Sequence, residues 1–328
     1  MEKKIRWGIL GTGKIAKKFA KGLQVLSDAE LVAVGSRAAD TAGKFAKAFN
    51  VHNRHDSYEK LANDPDVDVV YIATPHTLHM ENTILCLKAG KPVLCEKPFA
   101  VNAEQARQMI ETARAEKLFL MESMWTRFLP LIGKVRQWLQ EGLIGEVRML
   151  YADFGFTGEW EPQHRVLNPQ LAGGALLDVG VYTISMASMI FGGPPTKITG
   201  LAHLGETGVD EQSAFIMGYE DGQLAVLSCA VKTETPQETV IAGTKGKIKI
   251  HSQSWCPTTA TISIPHGEDQ AVEVPFRGNG FDCEAEEVIK CLRAGKLESD
   301  IMPLDETLSI VKTMDQIRGQ WGLKYPME

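Results

Sequence analysis

From about residue 3 to residue 100, short apolar runs alternate with stretches whose apolar residues recur every three or four positions. The runs at 5–10, 31–36, 67–74 and 92–95 read as strands, and 119–121 as a last one. The stretches at 15–26, 41–49, 58–63, 80–89 and 103–116 read as helices between them. Strand and helix in strict alternation predict βαβ units and therefore a parallel sheet. Beyond Trp125 the pattern changes. A helix at 131–141 ends at Gly142 and Gly145, and β-like segments follow at 147–156, 196–203, 212–219, 223–229, 238–242, 247–251, 259–264 and 271–274. Turn sequences such as Glu220-Asp221-Gly222 and Thr244-Lys245-Gly246 join neighbours without long helices, which predicts a mostly antiparallel sheet. Helices at 177–190, 280–294 and 304–320 complete the second part.

The expected fold is thus an α/β Rossmann domain over 1–124, followed by an α+β domain over 125–328 with an open, mostly antiparallel sheet. The C-terminal helix is expected to pack across both. A length of 328 residues with 44% hydrophobic content suits two cores. The net charge of -6 argues against nucleic acid or an anionic membrane as partner, because both reward clustered Lys and Arg, and leaves small molecules. The first ten residues place basic before apolar positions, but glycines interrupt the apolar stretch, so they read as a strand and not a signal peptide. No apolar run approaches the roughly 20 residues of a membrane helix, and a cytoplasmic protein is expected. The six cysteines form no C-x-x-C pair and have no histidines at zinc spacing, so buried free thiols and no metal are expected.

Gly11-Thr12-Gly13-Lys14-Ile15-Ala16 lies between a predicted strand and a predicted helix, the context that gives G-x-G-x-x-A its meaning. Gly11 allows the tight turn, Gly13 lets backbone approach a pyrophosphate, and Ala16 permits close helix packing, while the helix N-terminus offers free N–H groups to the anion. At the end of the second strand an NAD site places Asp or Glu to accept from the ribose 2′-hydroxyl. Here the residues are Ser36-Arg37, a hydroxyl and a guanidinium fork suited to a 2′-phosphate, which favours NADP.

Thr74-Pro75-His76-Thr77-Leu78-His79 follows one strand and Glu96-Lys97-Pro98 another. Taken in order with the glycine loop, these segments resemble the glucose–fructose oxidoreductase / inositol dehydrogenase (Gfo/Idh/MocA) family over nearly the whole chain. The resemblance implies that Thr74, Pro75, His76 and His79 border the cofactor. It also implies that the Lys97–Pro98 peptide is cis, that Lys97 reaches nicotinamide and substrate, and that Glu96 orients the cofactor or Lys97. A second segment, Gly173-Gly174-Ala175-Leu176-Leu177-Asp178-Val179-Gly180-Val181-Tyr182, matches the family's G-G-x-x-x-D-x-G-x-H with Tyr182 in place of the histidine. That departure, with Trp125, Arg127, Phe128 and Phe154, is similar to the dimeric dihydrodiol dehydrogenase branch, whose relatives include NADP-dependent sugar dehydrogenases.

In that branch the tyrosine is the expected acid/base. A phenol ionises near about pH 10, and a lysine and a cationic nicotinamide beside it both favour phenolate. Tyr182 would then take the hydroxyl proton of a secondary alcohol or lactol while Lys97 stabilises the oxyanion, and Asp178, one helical turn earlier, would fix a second hydroxyl. Trp125, Arg127, Phe154, Trp255 and Phe281 are expected against the substrate, the four aromatics as walls for a ring or sugar face or else as core. Trp160, His164 and Arg165 lie in a neighbouring loop. The expected partner is a small diol or sugar, and the resemblance implies a homodimer. Two alternatives stay open: a catalytically silent NADP-binding regulator, and an enzyme that keeps its cofactor and passes hydride between two sugars.

Overall fold

The computed structural model describes residues 3–328; Met1 and Glu2, the start of the expected first domain, lie outside the described residues. The chain forms two compact units. The first begins as a βα succession: β1 (Ile5–Leu10), α1 (Lys14–Leu23), β2 (Ala29–Gly35), α2 (Ala39–Phe49), β3 (Asn53–His55), α3 (Tyr58–Ala62), β4 (Val69–Ile72), α4 (His79–Lys88), β5 (Val93–Glu96), α5 (Ala103–Glu116) and β6 (Leu120–Ser123). Its six strands are all parallel in the order β3-β2-β1-β4-β5-β6. The order reverses between β1 and β4, so a crevice opens at the carboxyl ends of these two strands, where doubly wound sheets take their ligands. β4, β5 and β6 are buried along their whole length, so they lack the apolar–polar alternation of a half-exposed strand, and Glu96, Glu122 and Ser123 are buried with their apolar neighbours. β3 was not expected: Asn53, Arg54 and His55 are polar and join the sheet only at its edge.

The second unit opens with α6 (Pro130–Gln140) and β7 (Val147–Gly155). After a loop and a π-helical turn at Leu176–Gly180 come α7 (Val181–Phe191), β8 (Lys197–Leu204), β9 (Asp210–Gly218), β10 (Leu224–Ala230), β11 (Thr239–Gly243), β12 (Gly246–Ile250), β13 (Thr259–Ser263) and β14 (Gln270–Glu273). These eight strands form one sheet in the order β14-β13-β12-β11-β7-β10-β9-β8. All neighbours are antiparallel except β7 and β10, which run parallel because helix α7 and the β8–β9 hairpin intervene between them. Register explains the alternation seen along each strand. Ile262, Ile248, Ile241, Leu150, Ala225, Met217 and Ile198 form one continuous apolar row across seven strands. The row one residue away along each strand points to the other face. Helix α7 and the π turn lie against β7 and β10 on the buried side.

The expected single boundary after residue 124 gives way to three crossings, after Phe128, Pro275 and Thr307. Trp125–Phe128 stay with the first unit, and Phe276–Thr307, carrying α8 (Phe281–Arg293) and the start of α9 (Leu304–Trp321), return to it. The physical reason is local packing: α8 lies along α1, Phe281 stacks on Trp125 at 4.7 Å, and Glu306 takes an Arg127 Nη2 hydrogen bond at 2.6 Å. The rest of α9 belongs to the second unit, where Trp321 Nε1 and Gln320 Nε2 donate to the carbonyls of Gly200 and Ile198 on β8.

The expectation that no apolar run nears the length of a membrane helix does not hold. The helical stretch Pro169–Phe191 is long and apolar enough to cross a membrane by length and composition, with a mean hydropathy of 1.5, but 78% of that window is buried in the protein. A helix that is apolar all round is what the centre of a core requires.

Candidate active site

In the first unit, Gly11 has φ +106°, and a Cβ there would stand 2.5 Å from the Ala73 carbonyl oxygen, so the turn between β1 and α1 admits only glycine. Gly13 caps α1 without a side-chain partner, the first turn carries no acid, and a Cβ at Gly13 would meet nothing within 4 Å. Open space therefore faces the free N–H groups of a helix N-terminus, which fits the pyrophosphate of a dinucleotide. Ala16 is fully buried at the close approach of α1 to the sheet, while Thr12 and Ile15 are partly covered and Lys14 is exposed. Ser36 closes β2 with its hydroxyl 2.6 Å from that of Thr41, and Arg37 beyond it is exposed. Burial raises the Tyr58 phenol, and the Arg37 guanidinium hydrogen-bonded to it works the other way. Arg37 and Ser36 thus flank the end of β2 with a guanidinium and a hydroxyl donor.

The segment after β4 is held from beneath. His79 is fully buried, with Nδ1 2.9 Å from the Pro98 carbonyl and Nε2 3.0 Å from that of Thr74. It bridges the two loops that bear the motif residues, so in this structure it acts on Thr74, Pro75 and His76 by position. The Thr74 hydroxyl accepts from Asn82 Nδ2 at 3.2 Å. The Lys97–Pro98 peptide is cis, and Lys97 is half-buried at the end of β5. Glu96 accepts from the Tyr71 hydroxyl, and its Oε2 accepts from the Lys97 backbone N–H at 3.2 Å. Glu122, on β6, accepts from the Phe99 N–H at 3.2 Å, and burial pushes its carboxyl up to about 7.

Three residues expected against substrate have other partners here. Trp125 and Phe281 stack on each other, with Phe281 edge-on to Phe19, so they form an aromatic cluster inside the first unit. Arg127 is buried and tied to Glu306 and to the Ile301 carbonyl, a tether between the end of β6 and the start of α9.

In the second unit, Tyr182 is half-buried on α7 with its ring 5.4 Å from that of Phe154, which stacks on Trp255 at 5.2 Å and 5°. Trp255 Nε1 reaches Gln237 Oε1 at 3.5 Å, and Gln237 Nε2 donates to the Gly155 carbonyl at 2.7 Å. The structure therefore brings Tyr182, Phe154 and Trp255 together. Asp178 lies in the π-helical turn, a widening that periodicity does not show and that recurs at functional sites. It is buried, and Arg165 donates to both its oxygens at 2.9 and 3.3 Å. Asp178 thus acts here as an anchor for an otherwise exposed guanidinium, not as a bare acceptor. Trp160 stacks on His164 at 4.4 Å in the same loop, with Nε1 donating to the Val231 carbonyl.

The entry to this turn is pinned by residues the sequence did not mark. Asp210 Oδ2 accepts from the Leu176 N–H at 2.7 Å, and burial pushes its carboxyl up to about 7. Tyr325 donates to the Gly173 carbonyl at 2.7 Å. Among the described residues no cluster of three or more His, Cys, Asp or Glu could hold a metal ion, and the six cysteines are free thiols.

Residues 5–123 match the model of an oxidoreductase family with an NAD-binding Rossmann fold, and residues 132–249 match the GFO/IDH/MocA C-terminal domain. The chain belongs to the GFO/IDH/MocA oxidoreductase family. It is 39% identical to a trans-1,2-dihydrobenzene-1,2-diol dehydrogenase of Xenopus laevis over 98% of this chain and 99% of that one. The corresponding enzyme of Homo sapiens is 37% identical over 99% of each. Among solved structures, the 3-ketoreductase KijD10 of Actinomadura kijaniata, in complex with NADP and TDP-benzene, superposes with a TM-score of 0.84 at 25% identity, covering 96% of this chain and 97% of that one.

Proposed function

We propose that this chain is an NADP-dependent dehydrogenase acting on a secondary alcohol or lactol carbon of a diol, dihydrodiol or aldose, with Tyr182 as acid/base and Lys97 assisting. The array of Tyr182 against Phe154 and Trp255 carries the reading: a phenol at the end of a flat, stacked aromatic surface suits the face of a ring or sugar. The relatives named as dihydrodiol dehydrogenases and the NADP-bound ketoreductase support the same substrate class and cofactor. When bound, NADP supplies the hydride acceptor. Tyr182 removes the hydroxyl proton, and the Lys97 ammonium holds the oxygen as negative charge develops on it. Arg37 and Ser36 select the 2′-phosphate, and Arg165, anchored by Asp178, donates to a further substrate oxygen. The protein works as a cytoplasmic homodimer, a reading supported by its free thiols and by the apolar open face of its eight-stranded sheet.

Single-turnover hydride transfer, followed by NADPH absorbance, tests the assignment. Tyr182→Phe and Lys97→Met are each expected to slow the step by about 100-fold or more while NADPH binding is retained. A wild-type rate in either variant would remove that residue from the chemistry.

A further inference from the structure

Beneath the Glu96–Lys97 corner lies a hydrogen-bonded group of side chains that the proposed chemistry does not use. Ser123 of β6 sits directly opposite Glu96 of β5 in the sheet register, Tyr71 comes from the neighbouring β4, and α8 brings Glu284 to them. Tyr71, Ser123 and Glu284 are fully buried and Glu96 nearly so. The Ser123 hydroxyl is 2.8 and 2.9 Å from the two oxygens of Glu284 and 3.5 Å from Glu96 Oε1. Phe19 stacks on Tyr71 at 3.7 Å, and Phe281 and Trp125 stack beyond it, so aromatic rings cover the group.

The hydrogens can be counted. Tyr71 and the Lys97 N–H both donate to Glu96, whereas Ser123 has one hydrogen to serve two carboxyl groups. If both acids were ionised, two like charges would share a single hydroxyl in a dry interior. Burial raises both carboxyls: with the charge of Glu96 added it holds Glu284 well above the ordinary glutamate range, whereas for Glu96 the Tyr71 hydroxyl and Lys97 offset part of the rise and make it the more readily ionised of the two. The titratable groups facing Glu284 are Tyr71 and Glu96 from the sheet, and Cys283 lies beside it on its own helix.

We infer that Glu284 is a positioning residue that stays protonated, donates to the Ser123 oxygen, and so turns the Ser123 hydrogen onto Glu96. One proton shared along Glu284–Ser123–Glu96 leaves a single negative charge under Lys97 and fixes the carboxylate that orients it. The kinetic part of this inference rests on the reading of Lys97 given above; the spectroscopic part does not.

The unliganded wild-type protein should show an infrared C=O stretch of a protonated carboxylic acid at about pH 9, above the range in which Glu122 and Asp210 titrate, and Glu284→Gln should remove it. In single-turnover hydride transfer, Glu284→Leu, which fills the volume but cannot donate, should slow the step by about tenfold with NADPH affinity unchanged. Glu284→Gln, a neutral donor of the same shape, should restore most of that loss. The inference is overturned if the band is absent in the wild type, if Glu284→Leu is as fast as the wild type, or if Glu284→Gln is as slow as Glu284→Leu. Should Lys97 prove to have no part in the reaction, the infrared result would still decide the protonation of Glu284.

Discussion

Arg37 stands just past the carboxyl end of β2, exposed and hydrogen-bonded to the Tyr58 phenol, at the place where a carboxylate would read the ribose of NAD. Charge-assisted bonds of a guanidinium are worth about 1.5–3 kcal/mol, so Arg37→Asp should lower kcat/KM with NADP by roughly 10- to 100-fold and raise it with NAD; an unchanged ratio of the two would refute the role. Glu122 allows a prediction of opposite character, about stability. Its carboxyl rises from 4.5 to about 7 because it is buried, so between those pH values the folded chain holds a proton that the unfolded chain has released. The stability it contributes therefore falls as pH rises from 4.5 to 7, by about 3 kcal/mol in total. Urea unfolding of Glu122→Gln should match the wild type below about pH 4.5 and exceed it by up to that amount above pH 7. A difference that does not change with pH would contradict the burial argument. Residues of this kind were not legible in the sequence. Lys97 and Tyr182 stand in ordered motifs, but Glu122, Asp210 and Glu284 look like any other carboxylates on polar faces, and only the fold shows that they are buried.

The elements themselves were largely legible, since one apolar face per strand and one stripe per helix leave a period of 2 or 3.6 in the sequence. Two features escaped for physical reasons. β3 has no apolar residue to mark it, and the parallel pairing of β7 with β10 depends on how the chain returns, not on any residue within the strands. The turn that carries Asp178 into α7 is a sharper case, because its geometry is set from outside. Gly174 has φ +122°, and a Cβ there would fall 2.2 Å from Asp210 Oδ1, the carboxylate whose other oxygen caps the Leu176 N–H. Gly174→Ala should therefore cost about 2 kcal/mol or more, from the strained backbone and the displaced acceptor together, and should slow hydride transfer by shifting the start of the helix that bears Tyr182. Gly133, inside α6 with nothing within 4 Å of an added Cβ, is the contrasting site. Gly133→Ala should stabilise by about 0.5–1 kcal/mol in the same urea titration. Equal effects at the two positions would mean that the turn is not braced by Asp210.

On the scale of the whole chain, two units were legible but their membership was not: the return of Phe276–Thr307 to the first unit is encoded in which helix faces fit α1 and Trp125, a matching that no local period reveals. The open face of the eight-stranded sheet poses a related question about what lies against it. Along one row the register brings Thr261, Lys249, Val240, Tyr151, Val226, Ile216 and Thr199 side by side. The apolar members gather on the central strands β11, β7, β10 and β9, with polar residues at both ends. Tyr151 is 46% exposed, Ile216 43% and, on the neighbouring β8, Leu201 83%. A sheet meant only to face water would alternate to polar residues throughout, whereas an apolar centre with a polar rim is the composition of a protein–protein interface. A second copy of this chain would be a self-complementary occupant, because a two-fold axis near Tyr151 would set each apolar centre on the other. Light scattering at micromolar concentration should give twice the chain mass for the wild type and a single chain mass for the double variant Tyr151→Glu, Ile216→Glu, with the fold of each unit kept. A monomeric wild type, or a double variant that still dimerises, would show that this face is not where two copies meet.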